Sequence, residues 1–128
     1  MTYSELMAMM GEMQFPFAYH HFDEGESPDP PFLIFLFTGT DNFMADDGVY
    51  AEIQGIAIEL YTDLKQPQNE KIVEAVLNAY EIPWDKYEGW IESERLYEVR
   101  YEFEILMEDE EEETEEDPDE GSGDKSID

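Results

Sequence analysis

The sequence predicts an α+β fold in which a mostly antiparallel sheet carries two helices on one face, in the order αβββαββ. Two stretches have apolar residues at three- and four-residue spacing, which is typical of amphipathic helices. Residues 97–105 alternate apolar with charged side chains, which indicates a strand with one buried and one solvated face. We therefore expect an α+β domain over residues 1–107, followed by an acidic tail over residues 108–128.

The first helix is predicted from a capping box, formed by Thr2 and by Glu5 three residues later. Because Gly11 interrupts the apolar pattern, we expect this helix to end close to residue 11. The second helix is predicted to begin at Pro67, because proline suits the first helical turn, and to end before Pro83. The apolar stripe of the first helix is Leu6, Met9, Met10 and Met13, and that of the second is Ile72, Val73, Val76, Leu77 and Tyr80.

Four further segments are predicted to be strands, and two loops lie among them. The strands are residues 17–22, 32–38, 49–62 and 87–91, with a turn at 92–95 before the last strand. The prolines of loop 23–31 exclude a central strand there. The loop at 39–48 is polar apart from Phe43 and Met44.

The alternation of the strand at 49–62 changes phase in its middle. Before Gln54 its apolar residues occupy odd positions, and after Gly55 they occupy even positions. One regular strand cannot bury both sets on one face, because successive side chains point to opposite faces. We therefore expect a β-bulge at Gln54 and Gly55 to restore the phase.

The chain is strongly acidic, with 35 acidic and six basic residues and a formal net charge of −29. Contacts to phosphates require Lys and Arg, so we expect no direct binding of nucleic acid or of an anionic membrane. The absence of cysteine excludes disulfides and fits a reducing cytosol. No apolar run approaches the roughly 20 residues that span a bilayer, and the first residues lack the basic region of a signal peptide.

Thirteen acidic residues and a single base, Lys125, occupy residues 108–128. This segment has no apolar periodicity, and its like charges repel one another. We therefore expect it to be disordered and dispensable for folding.

No constellation of residues points to catalysis, so we expect a protein that is not an enzyme. A nucleophile elbow and a phosphate-binding glycine loop are both missing from the sequence. His20 and His21 are neighbours on a predicted strand, so alternation should keep them from sharing a metal ion. Asp41, Asp46 and Asp47 lack the spacing of a calcium loop. The sequence therefore predicts no cofactor and no metal site.

Several short segments together resemble a family of small proteins from the morphogenesis region of tailed phages and prophages of Gram-positive bacteria. They are HFDEG at 21–25, PPF at 30–32, DNF at 41–43 with AD at 45–46, IELYT at 58–62, WIESE at 90–94 and LYEV at 96–99. The order αβββαββ is also similar to that of tail terminator proteins of long-tailed phages. The resemblance covers about residues 1–107.

This resemblance implies a structural protein that forms a ring, commonly a hexamer, at the end of the tail tube. The implied partners are further copies of the chain, the tail tube protein and the head connector protein. The implied location is the tail or neck of the virion, reached after assembly in the host cytoplasm. We expect contacts to these partners at Phe43, Met44, Asp46, Asp47 and Trp90.

Two other functions remain open. An acidic DNA mimic would place carboxylates where phosphates lie and would inhibit a DNA-binding enzyme. A chaperone or adaptor would use the acidic tail to hold a basic partner. Recovery of a connector or tail tube protein would favour assembly, whereas recovery of a DNA-processing enzyme would favour the mimic.

Overall fold

The computed structural model describes residues 1–45 and 48–109, and for residues 42–45 and 48–51 it describes the backbone alone. Within these residues two helices and five strands follow one another in the predicted order, which confirms the α+β class. The helices are α1 (Tyr3–Glu12) and α2 (Pro67–Ala79), and the strands are β1 (Phe17–Tyr19), β2 (Phe32–Ala45), β3 (Gly48–Thr62), β4 (Asp85–Ile91) and β5 (Leu96–Met107). None of the helices in this part of the chain is long and apolar enough to cross a bilayer.

The five strands form one sheet in the order β1-β2-β3-β5-β4. All neighbouring pairs are antiparallel except β1 and β2, which run parallel. β1 ends at Tyr19, three residues earlier than predicted, and only three of its residues pair with β2. The sheet is therefore mostly antiparallel, with a short parallel strand at one edge and β4 at the other.

α1 begins with the predicted capping box. The Thr2 hydroxyl accepts a hydrogen bond from the Glu5 backbone N–H at 3.1 Å, and the Glu5 carboxylate accepts one from the Thr2 N–H at 2.9 Å. These two bonds satisfy donors that the first helical turn leaves unpaired. The helix buries Leu6, Met9 and Met10.

α2 begins at Pro67, as predicted, and buries Val73 and Leu77 together with the side chain of Glu70. The prediction that Ile72 belongs to the buried face is wrong, because 42% of its surface is exposed. At about 100° per residue, Ile72 points well away from the direction shared by Val73 and Leu77.

Both helices pack on the same face of the sheet. The register aligns Phe35 of β2, Ile58 of β3 and Tyr101 of β5 across that face. We call the opposite side of the sheet the helix-free face, and it carries Glu59 of β3 and Arg100 of β5. The fully buried core residues are Leu6, Met9, Met10, Met13, Leu33, Phe35, Ile56, Ile58, Leu60, Val73, Leu77 and Tyr101.

The predicted bulge lies on the neighbouring strand. β3 pairs with β5 in one uninterrupted register, whereas the β2–β3 register shifts between Phe37 and Gly39. Thr38 of β2 is therefore the extra residue, and the prediction of a bulge at Gln54 and Gly55 is wrong. β3 stays regular at Gln54 and Gly55 because its partner β5 fixes the backbone of both residues, so Ile53 remains on the helix-free face.

The prediction of a loop at 39–48 is also wrong, because β2 continues to Ala45 and β3 begins at Gly48. Phe43 and Met44 are consequently strand residues, and Phe43 pairs with Ala51. Backbone pairing satisfies the polar groups of this segment, so its polar side chains do not end the strand. We call residues 38–45, 48–55 and 103–107 the sheet extension, since β4 pairs with β5 only as far as Glu102.

The acidic tail lies outside the described residues from position 110 onward. At its start, the Glu108 backbone N–H donates to the Met1 carbonyl at 2.9 Å. The Met1 ammonium in turn donates to the Leu106 carbonyl at 2.9 Å. The first residue thus lies along the end of β5, beyond the reach of β4.

Candidate functional site

The helix-free face carries a cluster of charged side chains that we call the Glu59–Arg100 cluster. It consists of Glu59, Tyr61, Glu98, Arg100 and Glu102. Arg100 Nη1 donates to Glu59 Oε2 at 2.6 Å, and Arg100 Nε donates to Glu102 Oε2 at 2.6 Å. The Tyr61 hydroxyl donates to the other Glu59 oxygen at 2.8 Å. Hydrogen bonds from both neighbours therefore reach Glu59, which is almost fully buried.

The register of β3 and β5 builds this cluster from residues far apart in the sequence. Glu59 pairs with Arg100, and Tyr61 pairs with Glu98 on the same face. Side chains opposite each other in an antiparallel pair lie about 5 Å apart at Cβ, which suits an ion pair. An isolated carboxylate buried at Glu59 would be costly, so the guanidinium makes the position tolerable.

Glu98 lies beside Glu59 and has an unusual proton affinity. Partial burial, followed by the charge of Glu59 and a hydrogen bond to it, raises the pKa of Glu98 to about 7. The Arg100 guanidinium acts in the opposite direction, but it does not cancel these effects. The cluster consequently gains or loses a proton near neutral pH.

A shallow depression of about 130 Å³ lies over this cluster at β4. Tyr87, Gly89, Glu98 and Arg100 are among the residues that line it. A Cβ on Gly89 would meet no atom within 4 Å, so nothing in the chain itself requires glycine there. Glycine inside a strand often marks the close approach of a ligand or of another backbone.

β4 is the edge strand on this side of the sheet. Six of its seven residues are exposed. Among the described residues its only strand partner is β5, so its other edge has no strand partner. An open edge of this kind is a template for pairing with another chain.

Trp90, which the sequence predicts as a contact residue, lies on β4 with 43% of its surface exposed. Its ring packs against Tyr97 with centroids 4.8 Å apart, and its Nε1–H donates to Glu92 at 2.8 Å. The Arg95 guanidinium lies 5.9 Å from the ring centroid. Trp90 is thus held by neighbouring side chains and remains partly exposed, and its role as a contact residue stays a prediction.

The other predicted contact residues are not brought together with Trp90. Phe43 and Met44 lie in the sheet extension, and their side chains are outside the description. Asp46 and Asp47 lie outside the described residues altogether. Their proposed role as contacts stays a prediction.

A larger depression of about 480 Å³ lies where β5 runs past the end of β4. Thr38, Trp84, Asp85, Glu102 and Glu104 are among its lining residues. It is open to solvent, and no described basic residue lines it. This arrangement differs from the enclosed, apolar pockets that bind small molecules.

A second charged network holds α2 against the sheet. The buried Glu70 carboxylate accepts hydrogen bonds from Lys65 at 2.6 Å and pairs with Lys86 at 2.9 Å. Lys86 also donates to Glu74 at 2.7 Å, and the Tyr101 hydroxyl donates to Glu74 at 2.8 Å. Burial alone would raise the pKa of Glu70, but hydrogen bonds from the two lysines outweigh it and lower the pKa. This network has a structural role under α2.

The two histidines lie closer together than predicted. His20 Nδ1 and His21 Nδ1 are 3.1 Å apart. The argument from strand alternation is wrong here, because β1 ends at Tyr19 and His20 adopts a positive φ of 68°. Even so, the described residues contain no group of three or more His, Asp or Glu side chains that could hold a metal ion.

Sequence reasoning missed the Glu59–Arg100 cluster. Glu59 is a single acid within the apolar run IAIELY, and Arg100 is the one base among the acids of β5. A lone acid and a lone base on neighbouring strands could have indicated the pair. Comparison with known families and proteins gives no further guide: no family model matches the chain, and no curated protein matches it.

Proposed function

We propose that this chain is a structural assembly protein of a tailed phage or prophage, a tail terminator or head–tail joining component. In this role it forms a ring, commonly of six copies, at the end of the tail tube. Its partners are further copies of itself, the tail tube protein and the head connector protein. The resemblance of residues 1–107 to that family motivates the proposal.

The segregation of charge within the fold is the observation that carries self-assembly. Residues 1–64 contain 12 acidic residues and no Lys or Arg. Residues 65–100 contain five Lys or Arg beside eight acidic residues. The first segment forms α1 and the strands β1 to β3, and the second forms α2, β4 and the start of β5.

The order of the strands turns this segregation into two different flanks. β1 lies at one edge of the sheet and β4 at the other, so the strongly acidic part and the part with the bases lie on opposite sides. A contact between one flank and the opposite flank of the next copy is heterologous, and repeated heterologous contacts close into rings or continue as filaments. Residues 65–100 have a net charge of −3 and residues 1–64 a net charge of −12, so repulsion is weaker in that pairing than between two acidic flanks.

The acidic surface also suits a passage for DNA. A ring lined with carboxylates repels phosphates, so DNA passes without sticking. A DNA mimic requires a different arrangement, in which a single copy reproduces the regular spacing of duplex phosphates. We therefore expect the protein neither to bind DNA nor to compete with DNA for basic enzymes.

Self-association tests this proposal directly. The purified full-length chain is examined by light scattering and native mass spectrometry over a concentration series, at about 0.05, 0.15 and 0.5 M salt. We expect a single closed oligomer that is weakest at the lowest salt, because screening relieves the repulsion among like charges. A strictly monomeric chain at every concentration would contradict the proposal.

A pull-down with the tagged full-length chain at about 0.15 M salt identifies the partners. Recovery of a tail tube or connector protein from infected or induced cells supports the proposal. Recovery of a DNA-processing enzyme whose activity the chain then blocks would replace it with the DNA mimic.

A further inference from the structure

The outward face of α2 is unusual in so acidic a protein. Its exposed residues include no acid, because Glu70 and Glu74 both point toward the lysines beneath the helix. We call this surface the α2 face. It consists of Gln68, Lys71, Ile72, Ala75, Asn78 and Ala79, all of which are exposed. Their spacing of three and four residues places them on one side of the helix.

The α2 face combines an apolar centre with an exposed positive charge. Ile72 is 42% exposed and has small alanines on its side of the helix. The lysines and arginines at 65, 86, 95 and 100 all form ion pairs. Lys71 is exposed and forms no ion pair with any residue that the structure describes.

α1 presents the complementary surface. Ala8, Gly11, Glu5 and Glu12 are exposed on it, and neither the helix nor any other segment up to residue 64 has a Lys or Arg. Gly11 is a costly residue for a helix, since glycine disfavours helical backbone relative to alanine. A Cβ at Gly11 would meet no atom within 4 Å, so packing within the chain does not require glycine. A close contact with a neighbouring molecule would require glycine at this position.

We infer that the α2 face of one copy docks on the exposed side of α1 of a second copy, with Ile72 near Gly11 and Lys71 near the α1 carboxylates. The contact is heterologous, so each copy offers one α2 face and one α1 surface. It rests on the proposed self-assembly and identifies the elements that carry it. Helices that lack bulky side chains at the contact approach each other closely, which favours packing of Ile72 at this position.

Two substitutions block the two sides separately. Ile72→Glu places a carboxylate at the centre of the α2 face, and Gly11→Trp fills the space above α1. Both positions are exposed or open in the single chain, so circular dichroism and thermal unfolding should show a folded protein. Leu106→Glu is the matched control, because it also converts an exposed apolar residue to glutamate and is 49% exposed on β5.

We expect each blocking variant to weaken assembly about tenfold or more in dissociation constant, measured by analytical ultracentrifugation of the full chain. The Leu106→Glu control should assemble like the wild type. Mixing the two blocking variants should yield a 1:1 dimer and nothing larger. In that mixture one intact α2 face meets one intact α1 surface, and both remaining sides are blocked.

The outcomes separate this inference from the proposed function. A wild-type chain that never assembles overturns both. A wild-type ring that Ile72→Glu and Gly11→Trp leave unchanged overturns the helix contact alone, and the proposed function stands. A mixture of the two variants that stays monomeric, although each variant is folded, also overturns the helix contact.

Discussion

Arg100 Nη1 lies 2.6 Å from Glu59 Oε2, across the two strands at the centre of the sheet. Replacing Arg100 with Gln leaves the Glu59 carboxylate buried without its cation. Removing one partner of a buried ion pair is strongly destabilising, so we expect a loss of about 3 kcal/mol in the free energy of unfolding, measured in urea.

Arg95→Gln is the control for this substitution. The Arg95–Glu92 pair is 3.6 Å long, and both side chains are at least 75% exposed. Its loss should change the free energy of unfolding by less than about 0.5 kcal/mol. Equal effects of the two substitutions would show that the Glu59–Arg100 pair contributes no more than a surface pair.

Glu98 makes the stability of the sheet depend on pH. Its pKa of about 7 in the folded protein lies above the ordinary value of 4.5, so its protonated form stabilises the fold. That contribution is complete below pH 4.5 and is lost as the pH rises through 7. We expect Glu98→Gln, which stays neutral, to be more stable than the wild type by about 1 kcal/mol at pH 8, after allowance for solvent screening.

The comparison at pH 5 and pH 8 isolates this effect. Glu104→Gln removes the same charge from the same strand at an exposed position. Glu104→Gln should raise the free energy of unfolding by the same amount at pH 5 and at pH 8. That amount should be smaller than the gain from Glu98→Gln at pH 8. If Glu98→Gln shows no greater gain at pH 8 than at pH 5, the raised pKa of Glu98 does not affect the stability of the fold.

Glu70 has the opposite dependence on pH. Its lysine partners lower the pKa of Glu70 below its usual value, so its charged form stabilises the fold above about pH 4.5, and that contribution is lost at lower pH. We expect Glu70→Gln to cost about 2 kcal/mol at pH 7, because Lys65 and Lys86 lose a charged acceptor. The difference from the wild type should shrink in acid, whereas the exposed Glu81→Gln should have little effect at any pH.

Gly55 is required by the bulge on the neighbouring strand. A Cβ at Gly55 would collide with the Thr38 hydroxyl and lie 3.3 Å from the Gly39 carbonyl oxygen. We expect Gly55→Ala to cost about 1–2 kcal/mol in unfolding free energy, and less in a Thr38→Ala background. Gly89→Ala, which has open space around its Cβ, should be neutral or slightly stabilising. If the effects of Gly55→Ala and Thr38→Ala on the free energy of unfolding are additive, the Thr38 side chain does not cause the loss of stability in Gly55→Ala.

The elements that the sequence predicts well are those whose causes are local. The capping box at Thr2, the proline at the start of α2 and the alternation of β5 each depend on neighbouring residues. The helices on one face follow from the amphipathic pattern. All of these are confirmed.

The errors concern features that depend on a distant partner. The extra residue lies at Thr38 and not near Gln54, because pairing with β5 keeps β3 regular. The polar residues after Gly39 continue a strand, because β3 supplies their backbone partners. Glu59 and Arg100 meet only through a register that joins residues 41 positions apart. Local patterns alone do not fix the register that forms these pairings.

The extra residue at Thr38 reverses the alternation of side-chain directions along β2, where the sheet extension begins. Phe37 faces the helices, yet Gly39 and Asp41 lie on the opposite side, since they pair with Gly55 and Ile53. Deleting Thr38 would remove the bulge and leave Gly39 and Asp41 on the side that they occupy now, because Gly39 would then follow Phe37 in regular alternation. Removing two residues from β2 and two from β3 farther along the sheet extension would leave the remaining side chains on their present faces. The hairpin can therefore change in length in steps of two residues per strand without disturbing the domain from which it grows.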